Sequence, residues 1–262
     1  MERIITLTTD FGLKDPYQGA MKGAILSINP GVRIVDITHL VQPGNILEGA
    51  FVLLGASRYF PEKTIHVAVV DPGVGGDRKP ILVETRRFFY IGPDNGLLSP
   101  SVREDGILRA VELTNRELFR DEVMSTFHGR DIFGPVAAHL SLGAKPEETG
   151  QALDKILALD LPKTVPEKGG LRGEVVYIDS FGNLITNIRR EDLSALDGTA
   201  VEVTVKNAAL TGLKKTYAMV EKGAATALIG STGYLEVAVN RGNAAEALGA
   251  RVGDTVAVRA VK

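Results

Sequence analysis

The sequence predicts an α/β protein: an N-terminal α/β domain on a mainly parallel sheet, followed by a smaller domain of short strands. Three observations carry this. Between residues 3 and 70, apolar β-branched stretches alternate with stretches of helical period, in the order strand, helix, strand, helix, strand. Residues 161–173 (LPKTVPEKGGLRG) then lose the hydrophobic pattern and gather Pro, Lys and Gly. Beyond them come short strands broken by dense turns, which suits a small β-barrel or sandwich. The expected organisation is a domain over 1–160, a linker over 161–172 and a domain over 173–262.

Residues 3–9 (RIITLTT) form the first strand, which runs into Asp10-Phe11-Gly12. Residues 17–29 place Ala20, Met21, Ala24, Ile25 and Ile28 on one helical face and stop at Pro30-Gly31. Residues 32–38 (VRIVDIT) are the second strand, and 46–59 (ILEGAFVLLGASRY) are a helix apolar enough to be largely buried. Residues 64–70 complete the third strand. Such alternation pairs strands in parallel through right-handed crossovers. Ligands of open parallel sheets sit beyond the carboxyl ends of the strands. Asp10, Thr38-His39 and Asp71 end these three strands, so one rim collects all of them.

The stretch 65–80 (IHVAVVDPGVGGDRKP) delivers Asp71 at a strand end, turns on Pro72-Gly73 and Gly75-Gly76, and returns Arg78. Glycines let a backbone reverse and approach a ligand. The plain alternative is a turn in which Asp71 caps backbone N–H groups and Arg78 is solvated. Short strands follow at 81–85 and 88–91, and the run 92–96 (GPDNG) gives Asp94 and Asn95 turn roles. A strand over 107–113 precedes a helix over 131–142, with Asp131 as its expected N-cap. His128 then lies at a helix N-terminus, where the dipole favours a neutral imidazole able to accept a proton; the plain alternative is a loop histidine bonded to backbone.

In the second part, strands are expected at 174–178, 184–187, 199–205, 226–229, 234–239 and 255–261. The run 177–187 (YIDSFGNLITN) leaves one strand and enters the next, a hairpin pattern. Within 234–239, Tyr234, Glu236 and Ala238 share a face opposite Leu235, Val237 and Val239. That polar face is either wet or the lining of a polar pocket.

Composition narrows the function. The 262 residues are 44% hydrophobic and 24% charged, with 30 Lys+Arg against 32 Asp+Glu. No basic stripe marks a nucleic-acid partner. No apolar run is long enough for a bilayer, and the first residues read as a strand rather than a signal peptide, so a cytoplasmic location is expected. Without cysteine there is neither disulfide nor thiolate metal site. Asp10-Phe11-Gly12 lacks the companion motifs of a kinase, and Gly73-Val74-Gly75-Gly76 lacks the Lys-Ser/Thr ending of a P-loop. His39, His66, His128 and His139 show no HxxxH or HxH spacing. A metal held by Asp10, Asp71, His39 and His128 is geometrically conceivable, but no metal is expected.

Five stretches in order, TLTTDFG, VVDPGVGG followed by Arg78, TFHGRD, FGNLITNI and STGYLEVAVNRGNAA, span almost the whole chain. Together they resemble the S-adenosylmethionine hydrolases (SAM hydroxide adenosyltransferases), relatives of the enzymes that make fluorinated and chlorinated nucleosides. The resemblance implies an N-terminal α/β domain, a C-terminal β-barrel and a homotrimer with a small-molecule substrate held between neighbouring subunits. It also implies that Asp10 binds the ribose hydroxyls and that Asp71, Arg78 and His128 form a triad around the attacking water. Asn183, Ser231, Tyr234, Glu236 and Val239 match positions around the adenine and methionine ends. Halogenating relatives carry Tyr at the position of His128, which argues against halide as nucleophile; Gly129 is shared with chlorinating relatives and does not discriminate.

The implied reaction suits these residue types. A sulfonium makes C5′ electrophilic, and the thioether of methionine departs neutral, so its departure needs no general acid. A water held in line behind C5′ and a destination for its proton are what remain to be supplied. With Arg78 beside it, Asp71 suits orienting the water; His128 is the expected proton acceptor, late in the reaction. No cofactor is implied. Halide transfer to C5′ and an adenosine-binding module without turnover are the alternatives.

Overall fold

The computed structural model describes residues 3–196 and 200–261. The chain divides into two compact units between Asp160 and Leu161. In the first, the elements are β1 (Ile4–Thr9), α1 (Tyr17–Ile28), β2 (Arg33–Thr38), α2 (Ile46–Ser57), β3 (Ile65–Val69), β4 (Pro80–Thr85), β5 (Phe89–Pro93), α3 (Ser99–Asp105), β6 (Ile107–Leu113), α4 (Gly134–Ser141) and β7 (Gly150–Ala152). The seven strands form one sheet in the order β2-β1-β3-β5-β4-β6-β7.

The α/β class is as the sequence predicts, but only half of this sheet is parallel. β1 pairs in parallel with β2 and β3, and β3 with β5. The pairings of β4 with β5 and β6, and of β6 with β7, are antiparallel. A tight turn at Arg86-Arg87, closed by Thr85 N–H to the Phe88 carbonyl at 2.9 Å, joins β4 to β5. So short a link permits only antiparallel pairing.

The parallel half positions the site. The chain leaves β1 for β2 on one side, then returns across β1 to β3 on the other. Right-handed crossovers in opposite directions put α1 and α2 on opposite faces. Met21 and Ile25 of α1 accordingly pack with Ile5, Leu7, Val67 and Val69, whereas Ala50 and Leu53 of α2 pack with Ala68 and Val70. Each fully buried Leu or Ile contributes roughly 1.5–3 kcal/mol. Asn45 fixes the start of α2 by accepting from Glu48 N–H at 3.1 Å, a cap worth about 1 kcal/mol. The reversal of strand order leaves a crevice between the carboxyl ends of β1 and β3, where Asp10 and Asp71 emerge.

Two helices of the first unit depart from expectation. α3 was not foreseen, because Pro100 reads as a breaker; in the structure it occupies the first turn, where its missing N–H costs nothing. The helix expected over 131–142 begins instead as a π-helical turn, Gly129–Phe133, and becomes α-helical at Gly134. Asp131 therefore lies inside the wide turn and caps nothing. Among the described residues no helix is long and apolar enough to cross a membrane.

The second unit carries β8 (Val165–Glu167), β9 (Gly170–Ile178), β10 (Leu184–Arg189), β11 (Val201–Val205), β12 (Ala208–Thr211), β13 (Leu213–Lys214), β14 (Ala225–Ile229), β15 (Tyr234–Val239), α5 (Ala244–Leu248) and β16 (Thr255–Ala260). The stretch expected as a linker thus holds β8 and the start of β9, which pair as a hairpin about Gly169. Pro166 and the glycines mask their pattern. Thr199, where a strand was expected to begin, lies outside the described residues. The sheet order is β12-β11-β16-β9-β10-β15-β14-β13. It curls like a barrel around Val175, Leu184, Ile188, Val203, Leu235, Val237 and Val256.

Candidate active site

The turn after β1 is tied to the end of β2. Gly12 N–H donates to the His39 carbonyl at 2.7 Å. Thr9 Oγ1 accepts from Phe11 N–H at 3.2 Å and lies 2.7 Å from His39 Nδ1. Asp10 Oδ2 accepts from Gly44 N–H at 2.8 Å. Buried His39 is thus a strut for the Asp10 turn, with Nε2 3.1 Å from Asp36 Oδ1.

Asp71 follows β3 directly, and the glycine turn brings Arg78 back against it. Arg78 Nε donates to Oδ1 and Oδ2 of Asp71 at 3.1 and 2.9 Å, and Nη2 to Oδ2 at 2.5 Å. Both side chains are nearly buried, at 9% and 4% exposure, so their charges must be paired. The Arg78 guanidinium also lies 5.5 Å from the centre of the Phe133 ring. Gly75, at φ 76°, packs so tightly on the Ser125 backbone that a Cβ there would strike the Ser125 carbonyl oxygen. This contact holds the glycine turn to the loop that ends at His128.

Arg78 Nη2 lies 2.7 Å from His128 Nδ1. A guanidinium only donates, so Nδ1 is the acceptor and the neutral imidazole carries its hydrogen on Nε2. Burial, and then the Arg78 charge, hold the His128 pKa below the ordinary histidine value; Asp71 and Asp131 oppose them. The lone pair expected to take a proton is therefore committed to Arg78 in this arrangement. Edge-to-face contacts of Phe11, Tyr17 and Phe127 wall the same region, with centroids 5.5–6.4 Å apart. Gly129 leaves just enough room for the Phe11 ring, 3.0 Å from where a Cβ would sit. Sequence reasoning missed this aromatic wall; phenylalanines one residue after Asp10 and one before His128 were the available signal.

The structure joins Asp71, Arg78 and His128 by hydrogen bonds and sets Asp10 at the neighbouring strand end. It does not gather Asp10, Asp71, His39 and His128 into a ligand set: no group of three or more His, Asp or Glu arranged to hold a metal occurs among the described residues.

In the second unit, Asp179 Oδ1 accepts from Phe181 and Asn183 N–H, both at 2.9 Å, and Oδ2 accepts from Asn183 Nδ2 at 3.0 Å. Every residue of β15 is buried, so the face carrying Tyr234 and Glu236 is not wet. Glu236 Oε1 accepts from the Tyr217 hydroxyl at 2.7 Å. Burial raises the Glu236 pKa, and burial together with that carboxylate pushes Tyr217 up to about 12. The Arg189 guanidinium lies over the Tyr234 ring. Ser231 is exposed in the turn before β15, and Val239 belongs to the interior.

A half-parallel sheet with paired charges at its switch point, followed by a curled, mainly β unit, defines a two-part α/β protein with paired polar groups on the rim of the first sheet. Comparison with known proteins gives the family. Residues 5–150 match the SAM hydroxide adenosyltransferase N-terminal domain, and 173–257 match the C-terminal domain. This chain belongs to the SAM hydroxide adenosyltransferase family.

Two relatives named (R)-S-adenosyl-L-methionine hydrolase are each 39% identical. The one from Salinispora tropica aligns over 98% of this chain and 97% of its own length. The other, from Methanocaldococcus jannaschii, aligns over 94% and 91%. A fluorinase from Nocardia brasiliensis is 31% identical. The crystal structure of a conserved protein from Thermotoga maritima superposes with a TM-score of 0.92 at 39% identity, covering 98% of this chain and 99% of that one.

Proposed function

We propose that this chain hydrolyses S-adenosylmethionine to adenosine and methionine by in-line attack of water on C5′. The hydrogen-bonded series Asp71–Arg78–His128, at the switch point beside the Asp10 strand end, is the observation that carries this reading; the names of the relatives support it. Those names specify the R form of the substrate, and the same form is proposed here. As the water oxygen bonds to C5′, the C5′–S bond breaks and its electron pair leaves with neutral methionine. The positive charge moves from sulfur to the attacking oxygen, which then loses its proton.

Each triad member holds the next. Asp71 Oδ1 receives one long hydrogen bond from Arg78 and so keeps capacity for a bond from the water. Arg78 fixes the carboxylate, and His128 fixes Arg78 from the other side. The proton leaves after the C–O bond has formed, when the alkylated water is a strong acid, along the Asp71 hydrogen bond to solvent. His128 takes it only by giving up Arg78. Orientation of the water is the largest contribution asked of the protein, and well-oriented reactants can lower a barrier by roughly 7–11 kcal/mol.

In the same reading Asp10 accepts from the ribose hydroxyls, and Asn183, Ser231, Tyr234, Glu236 and Val239 serve the adenine and methionine ends. The protein acts in the cytoplasm as a homotrimer, with substrate held between neighbouring subunits and without a metal. Product analysis tests the proposal. The purified protein, three chains in mass by light scattering, is incubated with each sulfonium epimer, with and without halide and chelator. Adenosine and methionine in equal amounts are expected, insensitive to chelator. A 5′-halonucleoside as main product, or bound adenosine without turnover, would overturn it.

A further inference from the structure

Asp131 is wholly buried and lies outside the proposed substrate-binding residues, yet it is paired with two arginines. A carboxylate taken out of water needs partners, and its partners show what it holds. Its Oδ2 accepts from Met124 N–H at 3.0 Å, and its backbone carbonyl accepts from Arg120 N–H at 3.0 Å. Arg130 donates Nε to Oδ1 at 2.6 Å and Nη2 to Oδ2 at 2.9 Å, while Arg120 Nε stands 3.6 Å from Oδ1. Both arginines belong to the same region as the loop they close.

Residues 114–128 lead from β6 to the π-helical turn with a single 3₁₀ turn, Arg116–Leu118, of their own. Asp131 fastens this loop at Arg120 and Met124. The next residue, Ser125, presses on Gly75 of the glycine turn, and three residues later comes His128. We infer that Asp131 is a positioning residue, which holds the His128 loop against the glycine turn and supplies negative charge to the imidazole. The charged groups that act on that imidazole are Arg78 after the glycine turn, Asp71 at the end of β3 and Asp131 three residues further along the chain. Arg78 disfavours the imidazolium; the two carboxylates favour it. The inference rests on the proposed triad for its effect on turnover, but not for its effect on His128 itself.

Asp131→Asn keeps an acceptor for Met124 and removes the charge. The His128 imidazole, followed by NMR against pH, is expected to titrate at lower pH in this variant, because Asp131 no longer offsets Arg78. Trypsin is expected to cut after Arg120 faster, and kcat to fall roughly 10- to 100-fold as the loop shifts. Arg120→Gln loosens the same clasp while keeping the Asp131 carboxylate, and it guards against misfolding of the first variant; trypsin is then expected to cut the loop faster while the His128 titration stays where it is. A purely structural Asp131 would change proteolysis and thermal stability while leaving the His128 titration of Asp131→Asn where it is in the native chain, and that result overturns the inference. If the His128 titration moves as stated in Asp131→Asn while the protein shows no hydrolysis, the hydrolase reading falls and the role of Asp131 stands.

Discussion

His128 carries the sharpest distinction at the scale of single residues. A general base needs a free lone pair, and the Nδ1 lone pair faces a donor-only guanidinium at 2.7 Å. Protonating the imidazole would set two cations against each other in a nearly buried place. Acid is therefore expected to abolish activity by opening the triad, at a pH below the ordinary histidine value because burial and Arg78 both oppose the charged form. His128→Gln retains an acceptor that cannot protonate. It is expected to keep most of kcat and to lose the acid limb, while His128→Ala loses at least tenfold more, the order of one charge-assisted hydrogen bond at roughly 1.5–3 kcal/mol. Rate profiles from pH 4 to 8 decide: equal loss in both variants restores His128 as the base.

The glycine turn between β3 and β4 sets the next scale. Gly75 combines a left-handed φ of 76° with backbone contact to Ser125, so a side chain meets both strain and collision. Gly73 has neither: a Cβ there would touch Arg78 Cγ at an ordinary 3.5 Å. Gly75→Ala is expected to cost about 1–3 kcal/mol in urea unfolding and most of the activity. Gly73→Ala should change stability by less than about 1 kcal/mol; similar losses at both positions would refute the Gly75–Ser125 contact as the strut. The same element shows what was legible in the sequence. Strand ends could be read, because β-branched runs stop abruptly at Asp10 and Asp71. The return of Arg78 could be read from the glycines. The loop closure through Ser125 and Asp131 could not, since it joins residues fifty apart through a buried charge and a π-helical turn, neither of which leaves a periodic trace. The antiparallel half of the first sheet was not legible, because β4 is an apolar run like the parallel strands and nothing in its sequence marks the direction of its partners.

The first unit as a whole holds a buried histidine unrelated to the rim. His66 on β3 is fully enclosed by Phe60, Phe88 and Tyr90; Thr6 Oγ1 lies 2.7 Å from Nδ1, and Nε2 has no hydrogen-bond partner among the described residues. Burial, with Arg87 assisting, depresses its pKa to about 3. The unfolded chain binds this proton near 6.5, the folded chain only near 3. The stability linked to His66 is thus complete above about pH 6.5 and declines by roughly 1.4 kcal/mol per unit on acidification toward 3. Urea midpoints from pH 7 to 4 should fall more steeply for the native chain than for His66→Gln. Parallel curves would mean that the folded state admits the charge.

The second unit closes on itself through a single residue. Its sheet begins with β12 and ends with β13, and these outermost strands are consecutive in the chain, with Gly212 alone between them. A sheet in solution ordinarily ends in two ribbons of unsatisfied peptide groups, each a template on which a stray strand can grow. Here the covalent chain turns one ribbon toward the other, and β12 lies against β14. A strand edge left bare invites polymerisation in a crowded solution, and this seam takes away one route by which it would begin.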